Sequence, residues 1–211
     1  MKKQKRLEFN LDALDAMQTV SLGTNHVARW QGTPKLLPYN VSTHAFNCAQ
    51  LYLQLSWTLG NCPDIRMVTC LLNHDNMEAL TGDVLAPAKN LKPKLWDAIE
   101  DDVQSVYTKK NGINIFLSVP VERDFHDVLD EDEYLLMKVI DMLEFLLHAQ
   151  QEHTAGNRDK RVLASLIYGV GILRSEVASL EKTAFNEYAR LVRYYYNRKC
   201  TDTELTTDYY V

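Results

Sequence analysis

The apolar positions between Ser42 and Leu59 recur at intervals of three and four, which places them on one face of a helix. They are Ala45, Cys48, Leu51, Tyr52, Leu55 and Leu59. Asn40 and Ser42 are both suitable N-cap residues, and Gly60 followed by Asn61 stops the pattern. We therefore predict an amphipathic helix over residues 42–59.

Similar patterns predict helices along most of the remaining chain. The widest apolar stripe follows the acidic run Asp130–Glu133, whose charge suits the positive end of a helix dipole, and Gly156 closes it. Residues 113–121 have strand-like side chains without strand partners, so we expect an extended loop or a short hairpin there, and residues 84–94 are expected to form a loop. Because strands are scarce, the predicted fold class is all-α. The other predicted helices are Ile65–Leu80, Leu95–Thr108, Val162–Leu180 and Thr183–Arg198.

Length and composition fit one globular domain. The chain has 211 residues, of which 46% are hydrophobic and 24% charged, as is ordinary for a packed core. Its net charge of -5 argues against a nucleic-acid polymer as the main partner, because phosphate backbones need a basic surface, whereas a small anionic substrate needs only a local cluster of cations. We assign residues 1–28 to an N-terminal helical extension, 29–200 to the domain and 201–211 to a flexible tail.

The cysteines and the hydrophobic runs predict a cytoplasmic protein without a membrane partner. No C-x-x-C pair occurs, and Cys48 and Cys70 sit at apolar helical positions, so they are expected to be buried free thiols. The basic N-terminus is followed by a segment too polar for a signal peptide. No apolar run approaches the length of a transmembrane helix.

The segment from His74 to Asp83 concentrates side chains that suit metal-dependent chemistry. His74 and Asp75 offer an imidazole and a carboxylate, which both suit a borderline divalent metal. Glu78 lies on the same helical face and is placed to reach a water at that metal, and Gly82 allows the chain to aim Asp83 back toward it. Alone, a His-Asp pair is more often a capped helix end with solvated charges.

Two further residues agree with a metal site. His44 stands near the start of the first predicted helix, and Asp141 stands among apolar residues in the most apolar helix. An ionised carboxylate in that setting needs compensation, which a metal would supply. The alternatives are a hydrogen-bonded core histidine for His44 and a water-facing edge position for Asp141. His26, His148 and His153 carry no motif and are expected at the surface.

The ordered set of a histidine, a His-Asp pair and a later aspartate resembles the metal-binding signature of the HD-domain superfamily. It is most similar to the bacterial 5'-deoxynucleotidases of the HD type over residues 29–157. The matching motifs are Arg29-Trp30, Asn40-Val41-x-x-His44, His74-Asp-x-x-Glu-x-Leu-Thr-Gly-Asp83, Pro87-x-Lys89, Lys138-x-x-Asp141 and Ala155-Gly156-Asn157. The resemblance implies a single HD-type phosphohydrolase domain, a helical bundle with a metal site between core helices.

The resemblance also implies a role for each matching residue. Glu78 would position or deprotonate the attacking water, and Asp83 would help to protonate the leaving 5'-oxygen. Trp30 would pack on the sugar and exclude a 2'-hydroxyl group. The implied ligands of a divalent metal (cobalt, manganese, zinc or magnesium) are His44, His74, Asp75 and Asp141. The implied phosphate-binding cations are Arg29 and Lys89, with Lys138 nearby.

The resemblance leaves the phosphate count of the substrate open. Bacterial members remove phosphate from deoxynucleoside monophosphates, whereas related phage enzymes remove triphosphate from dATP. The chain departs from the bacterial pattern at residues 31–34 and 84–87 in a way that is similar to phage sequences. Lys89, Lys92 and Lys94 offer extra cations, although Lys92 and Lys94 are at least as consistent with solvated loop residues. We therefore slightly favour a dATP triphosphohydrolase of a phage type, in the host cytoplasm, and the family implies a homodimer.

Two other classes of function are weaker alternatives. One is an HD protein that binds a nucleotide without turnover, which should have lost metal ligands. The other is a helical interaction module, which would not explain Asp141 in an apolar helix. The presence of all four implied ligands together with Glu78 and Asp83 argues against both alternatives.

Overall fold

Residues 11–84, 89, 91–111, 113–114, 119–120 and 128–200 are described by the structure, a computed structural model. Their α-helices are α1 (Leu11–Gly23), α2 (Val41–Thr58), α3 (Ile65–Asn73), α4 (Glu78–Thr81), α5 (Pro93–Asn111), α6 (Glu131–Thr154), α7 (Lys160–Leu180) and α8 (Asn186–Cys200), with a 3₁₀ turn at Thr24–His26. Strands β1 (Ile113–Asn114) and β2 (Val119–Pro120) pair in an antiparallel hairpin, Ile113 opposite Pro120. The predicted all-α class and the short hairpin are confirmed. The predicted tail, 201–211, lies outside the described residues.

Helix α6 is the centre of the bundle. The acidic run predicted to start it does so through a capping box, in which Asp130 Oδ1 accepts from the Glu133 backbone N–H at 2.8 Å and Glu133 Oε2 accepts from the Asp130 N–H at 2.9 Å. Gly156, at φ 99°, ends it in a conformation that only a residue without Cβ adopts readily. The fully buried stripe of α6 is Leu136, Val139, Ile140, Leu143, Leu146 and Ala149.

The other helices pack around this stripe. Helix α7 has the most extensive contact with α6, and Gly169 allows it, because a Cβ at that position would lie 2.7 Å from Leu146 Cδ2. Helix α2 lies against α3 and α6, and α8 closes the bundle against α7, α2 and α6. Cys48 and Cys70 are buried free thiols, as predicted. Because α6 is packed on several sides, its backbone also holds the residues along its polar edge rigidly.

Leu143→Ala should destabilise the domain by about 2–5 kcal/mol, because Leu143 is 0% exposed and the cavity left behind would lose its packing contacts. Urea unfolding followed by circular dichroism would measure this change. Leu22→Ala on α1 is the control, since Leu22 is 56% exposed and should change stability by less than about 0.5 kcal/mol. Equal effects in the two variants would contradict the central position of α6.

The predicted helix over residues 65–80 is wrong in one respect. The chain leaves helical geometry after Asn73, makes turns over residues 74–77, and starts the short helix α4 at Glu78. His74 Nδ1 lies 2.8 Å from the Leu71 carbonyl oxygen, so the imidazole can satisfy a carbonyl group that the end of the helix leaves unpaired. The break therefore falls on the His-Asp pair itself.

Two further expectations need correction. His148 is buried rather than at the surface, with its ring stacked 3.6 Å from that of Tyr39. Among the described helices, α7 is long and apolar enough to cross a membrane by length and composition, so the expectation that no run approaches that length was wrong. Its Leu166 and Leu173 are nonetheless buried in the core shared with α6, which makes α7 a helix of the bundle.

Candidate active site

Three helical elements bring the four predicted metal ligands together. Asn40 caps α2 by accepting from the Thr43 N–H at 2.8 Å, which fixes the helix start and places His44 in its first turn, fully buried. His74 and Asp75 lie in the turn after α3, and Asp141 lies in the middle of α6. His44 is buried and hydrogen-bonded through Nδ1, as the core-histidine alternative expects, but its Nε2 also faces other predicted ligands, and the partly exposed Asp141 lines a cavity.

The ligand atoms converge on one point. His44 Nε2 lies 3.3 Å from His74 Nε2, 3.0 Å from Asp141 Oδ1 and 3.6 Å from Asp75 Oδ2. His74 Nε2 lies 3.5 Å from that same Asp75 oxygen. Ligand atoms about 2.0–2.1 Å from one metal are about 2.9–3.4 Å from each other. Two of these spacings fall in that range, and three are wider, up to the 3.9 Å between His74 Nε2 and Asp141 Oδ1. The residues present fit a divalent metal.

The second nitrogen of each histidine supports the same conclusion. His44 Nδ1 lies 2.5 Å from Glu144 Oε2, and His74 Nδ1 lies 2.8 Å from the Leu71 carbonyl. With Nδ1 donating to these acceptors, Nε2 carries the lone pair in both rings. The Nε2 lone pairs of His44 and His74 are thereby both available to one metal ion. Glu144 was not predicted, since nothing in the sequence sets it apart from other glutamates of α6.

Cys48 is a competing ligand that sequence analysis assigned to the core. Its sulfur joins His44, His74 and Asp141 in a group whose ligand atoms lie within 4.8 Å of one another. However, Sγ lies 3.7 Å from both ring nitrogens of His44, so it sits beside the ring rather than along the Nε2 lone pair. Burial raises the pKa of the Cys48 thiol to about 11, which favours the neutral form over the thiolate that binds metals. Asp75, whose Oδ2 lies 3.6 and 3.5 Å from the two Nε2 atoms, and Cys48 are therefore the two candidates for the fourth ligand.

Glu78 is poised beside this centre. It is buried at the start of α4, and burial together with the nearby Asp75 charge raises its pKa to about 8. Its Oε2 has no hydrogen-bond partner among the described residues, and Oε1 lies 3.6 Å from Lys89 Nζ. An orphaned buried oxygen at this place is suited to holding a water.

Arg29 lies beside the carboxylates of Asp75 and Glu78. Its guanidinium pairs with Asp75 Oδ2, and Nη1 is 3.6 Å from Glu78 Oε2. A guanidinium in this position presents a planar fork of donors toward the cavity, which suits a phosphate group. The predicted phosphate contact is therefore geometrically available.

Trp30 adopts an unusual backbone conformation. Its φ of 62° lies in the left-handed region, which costs a bulky residue free energy and persists where neighbours hold it. Asp83 Oδ2 accepts from the Trp30 backbone N–H at 2.7 Å, and the indole Nε1 donates to Ser165 Oγ at 3.0 Å. Gly82, at φ 75°, turns the chain so that Asp83 points back as predicted. Asp83 thus has a positioning role that the sequence did not reveal, and so does Ser165.

All the predicted catalytic and substrate-binding side chains line one cavity of about 950 Å³. Lys89 Nζ lies 4.9 Å above the Trp96 ring and Lys138 Nζ lies 5.4 Å from that of Tyr134, so both cations are held by aromatic faces. Arg161, a cation that sequence analysis missed, also lines the cavity and pairs with Asp159. Four cationic side chains therefore face a common space.

Three other basic side chains do not contribute to the cavity. Lys92 and Lys94 are exposed and are not among its described lining residues, as expected for solvated residues. His26 is exposed at the end of the 3₁₀ turn, as predicted. Of the three lysines Lys89, Lys92 and Lys94, Lys89 is thus the one that lines the cavity among the described residues.

Comparison with known proteins agrees with this geometry. The sequence model of the family described as 5'-deoxynucleotidase YfbR-like matches residues 19–167. No curated protein sequence matches the chain.

Several solved structures share the fold. The cyanophage S-2L HD phosphohydrolase DatZ, bound to dA and one catalytic Zn²⁺ ion, is 17% identical with a TM-score of 0.62, over 87% of this chain and 96% of that one. A protein from Pyrococcus horikoshii is 17% identical with a TM-score of 0.57, over 88% and 99%. An HD-domain phosphohydrolase from Listeria innocua is 18% identical with a TM-score of 0.52, over 86% and 98%. The predicted HD-domain helical bundle is confirmed by these likenesses.

Proposed function

We propose, from the premise that this chain belongs to the YfbR-like 5'-deoxynucleotidase family, that it hydrolyses the 5'-phosphoester bond of 2'-deoxynucleotides with a bound divalent metal. The observation that carries the proposal is the proximity of two imidazole Nε2 atoms and two carboxylates beside Glu78 Oε2, a buried oxygen without a hydrogen-bond donor among the described residues. Metal-dependent hydrolysis of a phosphoester uses such a metal site next to a group that handles a water.

The proposed chemistry assigns each side chain a task. A divalent metal held by His44, His74, Asp75 and Asp141 would polarise the phosphate and lower the pKa of the attacking water. Glu78 takes a proton from that water, the water oxygen forms a bond to phosphorus, and the bond from phosphorus to the 5'-oxygen breaks. Asp83 would help to protonate the leaving 5'-oxygen by passing on, through Oδ1, a proton taken up from solvent, since Oδ2 accepts from the Trp30 N–H. Arg29 and Lys89 offset the negative charge that grows on the phosphate.

For the phosphate count, we slightly favour a triphosphate substrate such as dATP, from which triphosphate and deoxynucleoside would be released. The support is a cavity of about 950 Å³ with four cations, Arg29, Lys89, Lys138 and Arg161, and the likeness to the cyanophage enzyme bound to dA. Lys92 and Lys94 are exposed, so they give no support to a triphosphate substrate. The second candidate is a 5'-deoxynucleotidase acting on monophosphates, which the family description favours.

Product analysis tests both candidates. Purified protein with Co²⁺ would be incubated separately with dAMP, dATP, dGTP and ATP, and the products resolved by ion-exchange chromatography. Deoxyadenosine with intact triphosphate from dATP would establish the first candidate, and orthophosphate from dAMP alone would establish the second. Binding of metal and nucleotide without any turnover would leave an HD protein that only binds nucleotides.

Trp30→Ala should reduce the preference for deoxyribose by up to about 10²-fold in kcat/KM, because the removed indole would no longer close the space beside the sugar to a 2'-hydroxyl. The ratio of kcat/KM for a deoxynucleotide to that for its ribonucleotide measures the effect. Tyr194→Ala, at an exposed position of α8, is the control. An unchanged ratio in the Trp30 variant would remove Trp30 from the sugar site.

We also propose a cytoplasmic homodimer. Phe46 and Trp57 are 55% and 63% exposed and lie eleven residues apart on α2, on the same face of that helix. Exposed aromatic side chains aligned in this way are typical of interfaces. Light scattering on the purified protein would give the assembly mass, and a monomer at micromolar concentration would contradict the dimer.

A further inference from the structure

Glu144 is a buried carboxylate without a part in the proposed chemistry. Its side chain is 3% exposed, although it lies only one helical turn after Asp141 on α6. Removing a carboxylate from water is costly unless donors compensate for the lost hydration. The burial of this carboxylate beside a proposed metal site therefore needs a physical explanation.

Three donors hold this carboxylate in one orientation. Oε2 accepts from the Tyr39 hydroxyl at 2.6 Å and lies 2.5 Å from His44 Nδ1, while Oε1 accepts from Asn47 Nδ2 at 2.9 Å. The carboxylate is therefore held in place by three contacts, one of them to a proposed metal ligand.

Helix α6 consequently holds His44 from both sides. Asp141 Oδ1 lies 3.0 Å from Nε2 and Glu144 Oε2 lies 2.5 Å from Nδ1 of the same ring. Residues three apart share a helix face, so α6 positions both Asp141, which faces Nε2 of His44, and Glu144, which contacts Nδ1 of the same ring. The ring cannot rotate without losing one of these two contacts.

We propose that Glu144 is the positioning residue that sets the metal affinity of the site through His44. The anion on Nδ1 fixes the tautomer with the lone pair on Nε2 and makes the imidazole a stronger donor to a cation. Tyr39 and Asn47 orient Glu144 for this task. The inference rests on the proposed metal-dependent function, because it concerns the same site.

The same helix supplies a matched control. Glu152 lies eight residues further along α6 and is 0% exposed. Its carboxylate accepts from the backbone N–H groups of Leu36 and Leu37 at 2.9 and 2.8 Å and from Asn157 Nδ2 at 2.8 Å. It therefore ties a loop to the helix end and touches none of the four proposed ligands. A purely structural role of buried glutamates predicts equal effects at both positions.

The experiment compares Glu144→Gln with Glu152→Gln in the full chain. Dissociation constants for Co²⁺ and Zn²⁺ would be measured by competition with a chromophoric chelator. Glu144→Gln should weaken binding by about 10- to 100-fold, whereas Glu152→Gln should leave the constants unchanged even if it lowers thermal stability. Under saturating Co²⁺, the visible absorption bands of Glu144→Gln should shift, because the donor strength of His44 has changed.

A milder variant guards against misfolding of Glu144→Gln. Tyr39→Phe removes one donor to Glu144 and the 3.2 Å contact of the Tyr39 hydroxyl with His44 Nδ1, but it keeps the contact between Glu144 and His44. It should weaken metal binding less than Glu144→Gln does. Unchanged affinity and an unchanged Co²⁺ spectrum in Glu144→Gln would overturn the inference, as would an equal loss in Glu152→Gln. If the wild-type protein bound no metal at all, the proposed function would fail together with it; failure of Glu144 alone would leave that function standing.

Discussion

Glu78→Gln should lower turnover by about 10²- to 10⁴-fold and leave the metal affinity close to that of the wild type. Glutamine has nearly the same volume, so the buried position at the start of α4 stays filled, but an amide cannot take a proton from water. The proposed metal ligands are other residues, so stoichiometric Co²⁺ binding should remain. The measurement is kcat with saturating deoxynucleotide and metal, alongside a metal titration of the same preparation.

Asp101→Asn is the control for this prediction. Asp101 also lines the cavity but is exposed and lies on α5, away from the metal ligands, so its neutralisation should leave turnover unchanged. A normal rate in Glu78→Gln would show that another group handles the water. A loss of metal in that variant would instead make Glu78 part of the coordination shell.

The sequence was sufficient to predict the bundle because its helices are amphipathic and locally capped. Asn40 and Asp130 are N-cap residues whose side chains bond backbone N–H groups within three positions, so their effect is visible in a short window. The sequence also singled out the residues that are proposed to bind the metal. His74 and Asp75 stand in a local motif with Glu78, whereas His44 and Asp141 were selected by their apolar settings and by family resemblance.

What the sequence could not predict depends on contacts between distant segments. Glu144 meets His44 across 100 positions, and Ser165 meets Trp30 across 135, so no local pattern marks either pair. The burial of His148 follows from stacking on Tyr39, which approaches it only in the folded chain. The break after Asn73 was missed because the apolar spacing continues through it, while the side chain of His74 satisfies a carbonyl at the helix end.

The missed contacts share a function in the fold, because each one holds a predicted site residue in place. Ser165 and Asp83 hold Trp30 in its left-handed conformation, and Glu144 holds His44. The predicted residues would do the chemistry, and the others would fix their geometry, as sites that must be preorganised require. Sequence motifs therefore singled out the groups that are proposed to react, whereas the residues that hold them in place were visible only in the structure.

Asp141→Asn should abolish both turnover and the stabilisation that metal gives to the wild type. Asp141 Oδ1 lies 3.0 and 3.9 Å from the Nε2 atoms of His44 and His74, so its charge faces the centre of the proposed shell. A metal at about 100 times its dissociation constant stabilises a folded protein by about 2.7 kcal/mol. For a chain of 211 residues this corresponds to a Tm increase of about 5–10 °C.

Differential scanning calorimetry with and without Co²⁺ separates this effect from a general loss of stability. Each variant is compared with itself, so any cost of the substitution to the metal-free protein cancels from the metal-induced shift. Asp132→Asn, in the first turn of α6, is the control: it weakens the interaction with the helix dipole by about 0.3–1 kcal/mol but should keep the full shift. A normal metal-induced Tm shift and normal turnover in Asp141→Asn would exclude Asp141 from the metal ligands. Cys48 would then be the next ligand to test, since its sulfur belongs to the same group of possible ligands as the two histidines.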